Sequence, residues 1–244
     1  MPGNGPNDMS DTPAPSIIVF DVNETLLDLT TLEPLFSRIF GEVGVMREWF
    51  SQLILYSEAL TLSGIYIPFG TLAGGALRMV GETKTVRIED RDIEELMGRI
   101  GSMPALPDVI PALERLRSAG FRLVTLTNSA PGGSPTTLER AGIAGYFERS
   151  FSVDDVRKFK PAPETYQLVA EKLSVGMSDM CMVACHLWDT IGAQSVGCAA
   201  ALIERPGNTV IKTVGVPIPN IVVKDMSELA TSIIAKWGSR AEAN

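Results

Sequence analysis

Short apolar runs alternating with helix-forming stretches constrain this chain more than any other feature. The runs "IIVF" (17–20), "FRLVTLT" (121–127), "MCMVA" (180–184) and "AALI" (200–203) are brief and predominantly apolar. Runs of this kind suit strands covered on both faces, where no polar alternation is needed. Weaker candidates lie at "RSFSV" (149–153) and "IVV" (221–223). Between them, "PDVIPALERLRSAG" (107–120), "SPTTLERAG" (134–142), "APETYQLVAEKL" (162–173) and "DTIGAQSVG" (189–197) read as helices. The first, second and fourth end at Gly120, Gly142 and Gly197, and glycine is a common helix stop. Strands alternating with helices predict an α/β fold, a Rossmann-like parallel sheet with helices on both faces and right-handed crossovers.

Residues 30–103 break that rhythm, with helix-type spacing and no convincing strand. They predict a helical domain inserted after the first strand, so that the core is built from 16–29 and 104–244. The first 15 residues, rich in proline and glycine, predict a flexible leader with neither a basic nor an apolar segment. No apolar run approaches the roughly 20 residues that cross a bilayer, so a soluble, cytoplasmic protein without a membrane partner is expected. A formal charge of −8 argues against nucleic acid as a partner, since phosphate binding needs clustered Lys and Arg. Cys181, Cys185 and Cys198 read as reduced core thiols, and a zinc site is not expected with His186 the only histidine.

In an open parallel sheet, ligands bind outside the carboxyl ends of the strands. The polar residues there form a series. Asp21, Asn23 and Thr25 follow the first run; Thr127, Asn128 and Ser129 end the second. Lys160 and Tyr166 follow the weaker run at 149–153, and His186, Trp188 and Asp189 follow the run at 180–184. Each has an ordinary reading: Asp21 and Asp189 as helix caps, Thr127 and Asn128 as turn residues, Lys160 as a solvated charge. An acid, a hydroxyl with an amide, a lysine and a second acid in that order point to one catalytic site.

That series resembles the haloacid dehalogenase superfamily, whose nucleophilic Asp, Ser/Thr, Lys and terminal acid occupy these strand ends. Within it the L-2-haloacid dehalogenases are most similar. They match in Lys160-Pro161 with Tyr166 six residues after the lysine, in "SVDDV" (152–156), and in Trp188-Asp189. The resemblance implies a helical cap at 30–103 and, as a further expectation, a homodimer. Asn23 bears on the reaction. Phosphatases of the superfamily carry an acid there, which serves Mg²⁺ and leaving-group protonation, whereas an amide transfers no proton at neutral pH. Cleavage of a carbon–halogen bond needs neither.

The resemblance therefore implies a halogenated carboxylic acid as substrate and neither metal nor cofactor. Asp21 would attack the α-carbon to form an ester that water then hydrolyses, with Lys160 keeping Asp21 ionised and Thr25 hydrogen-bonding it. Asp189 would position or deprotonate the water, and Thr127 and Asn128 would hold the substrate carboxylate. Arg47, with Arg38 as the alternative, would meet the halide, and Phe69 and Trp188 would line an apolar wall. Where the best-known members have a serine and an asparagine, this chain has Ala184 and His186. His186 reads either as a cation for the departing anion or as a steric restriction on the acid. A phosphatase of a small metabolite and a non-catalytic binding protein on the same fold are the competing readings.

Overall fold

The strand Ile17–Phe20 (β1) lies at the centre of a six-stranded sheet, paired in parallel with Arg122–Thr127 (β2) on one side and Met180–Ala184 (β4) on the other. The computed structural model describes residues 14–238. The expected leader therefore lies almost wholly outside the described residues. Arg149–Ser152 (β3) extends the sheet beyond β2, while Ala199–Ile203 (β5) and Ile221–Val223 (β6) extend it beyond β4. The order is β3-β2-β1-β4-β5-β6 and every pairing is parallel. β1 and β4 are buried at every position, as strands covered on both faces must be.

That order has a functional consequence. From β1 the chain winds through β2 and β3 to one edge, then returns to β4 and winds to the other. The reversal lies between β1 and β4, and there the connecting loops diverge and leave a crevice.

Five α-helices stand between β1 and β2, and the first four are Glu33–Phe40 (α1), Val45–Leu62 (α2), Phe69–Thr83 (α3) and Asp90–Ile100 (α4). These four pack on one another through buried residues such as Phe36, Trp49, Leu77 and Leu96. The Trp49 indole N–H donates to the Ala73 carbonyl at 3.0 Å. Gly81 is required where α3 meets the following loop, because a Cβ there would lie 2.7 Å from the Val86 carbonyl oxygen.

Val109–Ser118 (α5), Pro163–Leu173 (α7) and Leu187–Ser195 (α8) occupy stretches read as helical from sequence. The expected helix at 134–142 shrinks to a single turn, Thr137–Arg140 (α6), closed by a Thr136/Glu139 capping box. Met226–Trp237 (α9) has no counterpart in the sequence reading. It buries Met226, Leu229, Ala230, Ile233 and Trp237, and it is tied to α5 by Arg115, which donates to the Ser227 carbonyl and the Thr231 hydroxyl.

Candidate active site

Asp21 is the first residue beyond β1, and its backbone N–H still donates to Val183 of β4 at 2.9 Å. A tight turn follows, in which the N–H groups of Leu26 and Leu27 both return to the Val22 carbonyl. The turn brings Thr25 back over the acid. Its hydroxyl donates to Asp21 Oδ2 at 2.7 Å and accepts the Cys185 N–H at 3.0 Å, joining the ends of β1 and β4. Glu24 holds the tightest point with φ 64°, a left-handed conformation that costs a non-glycine residue roughly 1–2 kcal/mol.

Lys160 enters from the loop after β3 and is completely buried. Its ammonium donates to Asp21 Oδ1 at 2.8 Å, Asp189 Oδ2 at 2.6 Å and the Leu126 carbonyl at 3.0 Å. All three protons are thereby used. Burying ions costs several kcal/mol each unless geometry and hydrogen bonds compensate, and here they do. Burial opposes ionisation of Asp21, but Lys160 and His186 outweigh it and hold its pKa well below the usual carboxylate range. Burial likewise opposes the Lys160 charge, and Asp189 and Asp21 overcome it. Asp189, in the first turn of α8, is pushed upward by burial and the Asp21 charge, against Lys160. The Tyr166 hydroxyl donates to Asp189 Oδ1 at 2.7 Å. α7 and α8 meet closely enough for this only at Gly192, where a Cβ would sit 2.6 Å from the Tyr166 hydroxyl and 2.5 Å from Pro161 Cβ.

On the other side of Asp21 stands His186, just before α8 and buried. Its Nδ1 lies 3.3 Å from Asp21 Oδ2, and its Nε2 is 2.9 Å from Glu24 Oε2. Trp188 stacks on its ring at 5.1 Å and Phe50 of α2 covers it at 5.4 Å. Glu24 also pairs with Arg47 of α2, which donates to the Pro206 carbonyl at 2.9 Å. Three carboxylates, Asp21, Glu24 and Asp189, thus face the two permanent cations Lys160 and Arg47, and a protonated His186 makes the cluster neutral.

Beside the charged cluster, between the strand ends and helices α2 to α4, opens a cavity of about 710 Å³. Asn23, Phe69, Thr127 and Ser129 line it together with Trp49 and Phe50. The Asn23 amide donates toward the Ser129 hydroxyl at 3.5 Å, and the Thr127 hydroxyl accepts the Ser129 N–H at 3.1 Å.

Asp21, Thr25, Lys160, Tyr166, His186, Trp188 and Asp189 come together in one cluster, and Asn23, Thr127 and Phe69 line the adjoining cavity. Asn128 faces elsewhere: its side-chain oxygen accepts the Lys160 backbone N–H at 3.0 Å, which orients the lysine. Arg47 does not line the cavity and meets the cluster only through Glu24. Arg38 is further away, paired with Asp92 and Glu95 of α4. Glu24 was absent from the residues expected from sequence, because an acid in a polar turn reads as solvated; only its pairing with the lone histidine marks it.

Among the described residues, the grouping of His, Cys and carboxylate ligand atoms close enough to share an ion is Asp21, Cys185 and His186, within 4.8 Å of one another. Its donor chemistry does not suit a divalent cation. Burial pushes the Cys185 thiol up, so it stays protonated, and the Lys160 ammonium already occupies Asp21.

A family model described as haloacid dehalogenase-like hydrolase matches residues 15–197. The (S)-2-haloacid dehalogenase 4A of Burkholderia cepacia is 31% identical over 197 residues, 78% of this chain and 83% of the relative. The crystal structure of the L-2-haloacid dehalogenase RSc1362 superposes with a TM-score of 0.84 at 27% identity, covering 90% of this chain and 99% of the other. A dehalogenase crystallised as an intermediate complex has a TM-score of 0.79 at 26% identity, covering 90% and 97% of the two chains.

Proposed function

The chain belongs to the haloacid dehalogenase-like hydrolases, and from that premise we propose that it is a hydrolytic (S)-2-haloacid dehalogenase. It converts (S)-2-haloalkanoic acids or haloacetates to 2-hydroxy acids and halide through an ester on Asp21. One observation carries the reading: Asp21 is buried yet held ionised by a fully enclosed Lys160, which is the state a carboxylate nucleophile needs.

Each neighbour has a part. Thr25 and Lys160 hold the two oxygens of Asp21. Asp189, its pKa raised and its orientation set by Tyr166, takes the proton of the hydrolytic water. Asn23 and Thr127, with the Ser129 hydroxyl, hold the substrate carboxylate at the cavity mouth, while Asn128 keeps Lys160 in place. Phe69 and Phe50 supply apolar surface near the α-carbon, whereas Trp188, expected to line the same wall, does not line the cavity and backs the His186 ring instead. Arg47 acts through Glu24. The cavity is large enough for side chains well beyond methyl.

The same proposal divides the chain into a core of 16–29 and 104–244 and a helical cap of 30–103. Among the described residues no helix is long and apolar enough to cross a membrane. A cytoplasmic homodimer is part of the proposal and rests on likeness to the family.

The reaction needs no metal, because Asn23 offers an amide where a metal-assisted phosphatase needs an acid. Halide release from (S)-2-chloropropionate is therefore expected to survive thorough EDTA treatment. Activity that is lost to EDTA and restored by Mg²⁺, with phosphate released from simple esters, would instead establish the phosphatase.

A further inference from the structure

His186 carries a ring nitrogen for which the resting site provides no well-aligned partner. Glu24 holds Nε2, but Nδ1, buried and 3.3 Å from Asp21 Oδ2, lacks the alignment of a hydrogen bond. Buried polar atoms are normally paired, and an exception calls for an explanation. Here the ring packs against Trp188 and Phe50 while Glu24 holds Nε2, which keeps Nδ1 toward the oxygen it faces. That oxygen belongs to the group whose bonding changes during the reaction.

We infer that Glu24 and His186 form a proton-carrying pair serving the hydrolytic half of the reaction, His186 being the acid that protonates the departing 2-hydroxy acid oxygen. The inference rests on the dehalogenase reading above. It follows from the unequal surroundings of the two Asp21 oxygens: Oδ1 faces Lys160, whereas Oδ2 faces Thr25 and His186. Oδ2 attacks the α-carbon; the O–C bond forms and the C–halogen bond breaks, its electron pair leaving with the halide. Oδ1 remains as the ester carbonyl oxygen, where the Lys160 ammonium stabilises the oxyanion of the next step.

Water then adds to Cγ of Asp21 and gives one proton to Asp189. The adduct collapses, the Cγ–Oδ2 bond breaks, and Oδ2 leaves on the product with the Nδ1 proton of His186. Asp21 now holds a water-derived oxygen bearing the second water proton, which returns to Nδ1. The proton on Asp189 passes to solvent, so each turnover yields one hydroxy acid, one halide and one proton. Glu24 does not touch the reacting atoms. It is a positioning residue that fixes the ring and keeps it charged.

The surroundings agree with a charged ring. Burial disfavours it, but contacts with Cys185, Asp21 and Glu24 outweigh burial and hold the His186 pKa well above its ordinary value. The Cys185 thiol is itself held neutral by burial, so the two carboxylates dominate. Facing this group are Asp21 after β1, Glu24 with Asn208 at 3.3 Å, Arg47 from α2 on Glu24, and Lys160 with Asp189 beyond Asp21.

Quenched-flow kinetics on the whole protein with (S)-2-chloropropionate test the inference. His186→Asn should release a burst of one halide per site and then turn over slowly. Loss of a general acid predicts hydrolysis slowed roughly 100-fold or more, and mass spectrometry of the quenched enzyme should find the adduct on the Asp21 peptide. In the wild type, ester hydrolysis should fall as pH rises through the His186 pKa. Glu24→Gln, which removes a charge favouring the imidazolium, should shift that fall to lower pH, and Glu24→Asp should partly restore it. Halide and product slowing in step in His186→Asn, or a pH profile unmoved in Glu24→Gln, would overturn the inference; the second readout decides should His186→Asn not fold. A wild type that releases no halide would instead overturn the dehalogenase reading beneath it.

Discussion

Replacing Asp21 with asparagine should lower halide release from (S)-2-chloropropionate by roughly 10⁴- to 10⁶-fold, the scale on which loss of a covalent nucleophile is felt. Asparagine keeps the shape, so the fold should persist: Lys160 retains Asp189 and the Leu126 carbonyl as partners. A companion measurement identifies the bond that breaks. In a single turnover in ¹⁸O-water with enzyme in excess, the label should enter Asp21 and leave the first product unlabelled, because the product takes its oxygen from the aspartate. Label found directly in the product, together with an Asp21→Asn variant within tenfold of wild type, would mean that water displaces the halide itself. The same displacement inverts the α-carbon, so an (S)-2-chloro acid should give the (R)-hydroxy acid.

Lys160→Met should cost both stability and activity. Methionine fills much of the volume but leaves two buried carboxylates, Asp21 and Asp189, without the cation between them. Breaking a buried pair by removing one partner typically costs about 3–5 kcal/mol, a large share of the roughly 5–15 kcal/mol that holds a domain folded. The dependence on pH has a definite sign. In the wild type the Asp21 pKa is depressed, so its contribution to stability is present above the unfolded value and is lost only as pH falls through the folded one. In the variant burial is opposed by His186 alone, so the carboxylate pKa rises from its wild-type position. The stability deficit should therefore be largest near neutral pH and shrink as the solution is acidified. Activity should gain an acidic limb, rising with pH as Asp21 ionises. Urea denaturation at two pH values checks the first expectation and a rate profile the second; a variant matching wild type in both would remove Lys160 from its assigned role.

The sequence-legible residues that do meet at the site share a physical property: each lies at the end of a strand or in the segment that follows it. Asp21, Thr127, Lys160 and Asp189 were legible because a buried strand fixes where its last residue points, and the parallel order sends those ends to one crevice. The rest depended on directions that spacing does not encode. Arg47 lies on a helix, and its long side chain turns to Glu24 and Pro206 rather than to the cavity. Asn128 is beside Thr127 in sequence, yet it faces the Lys160 backbone. Glu24 became visible only once the turn after β1 had folded back on the loop after β4. α9 is a different matter, since Asp225 as cap and apolar residues at helical spacing were present in the sequence. At 134–142 the helical pattern was real but too short, ending in a left-handed Gly142 after one turn.

The contact between α7 and α8 at Gly192 limits how this protein can be improved. A glycine inside a helix ordinarily invites replacement by alanine, with an expected gain near 1 kcal/mol from helix propensity. At Gly192 the new methyl group would press on Pro161, which follows the lysine, and on Tyr166, which orients Asp189. Gly192→Ala should therefore lower kcat and melting temperature together, although it touches no reacting atom. An engineer raising thermostability helix by helix would lose the enzyme at a position that looks inert, and a directed-evolution library would leave that glycine unchanged while varying the exposed residues around it.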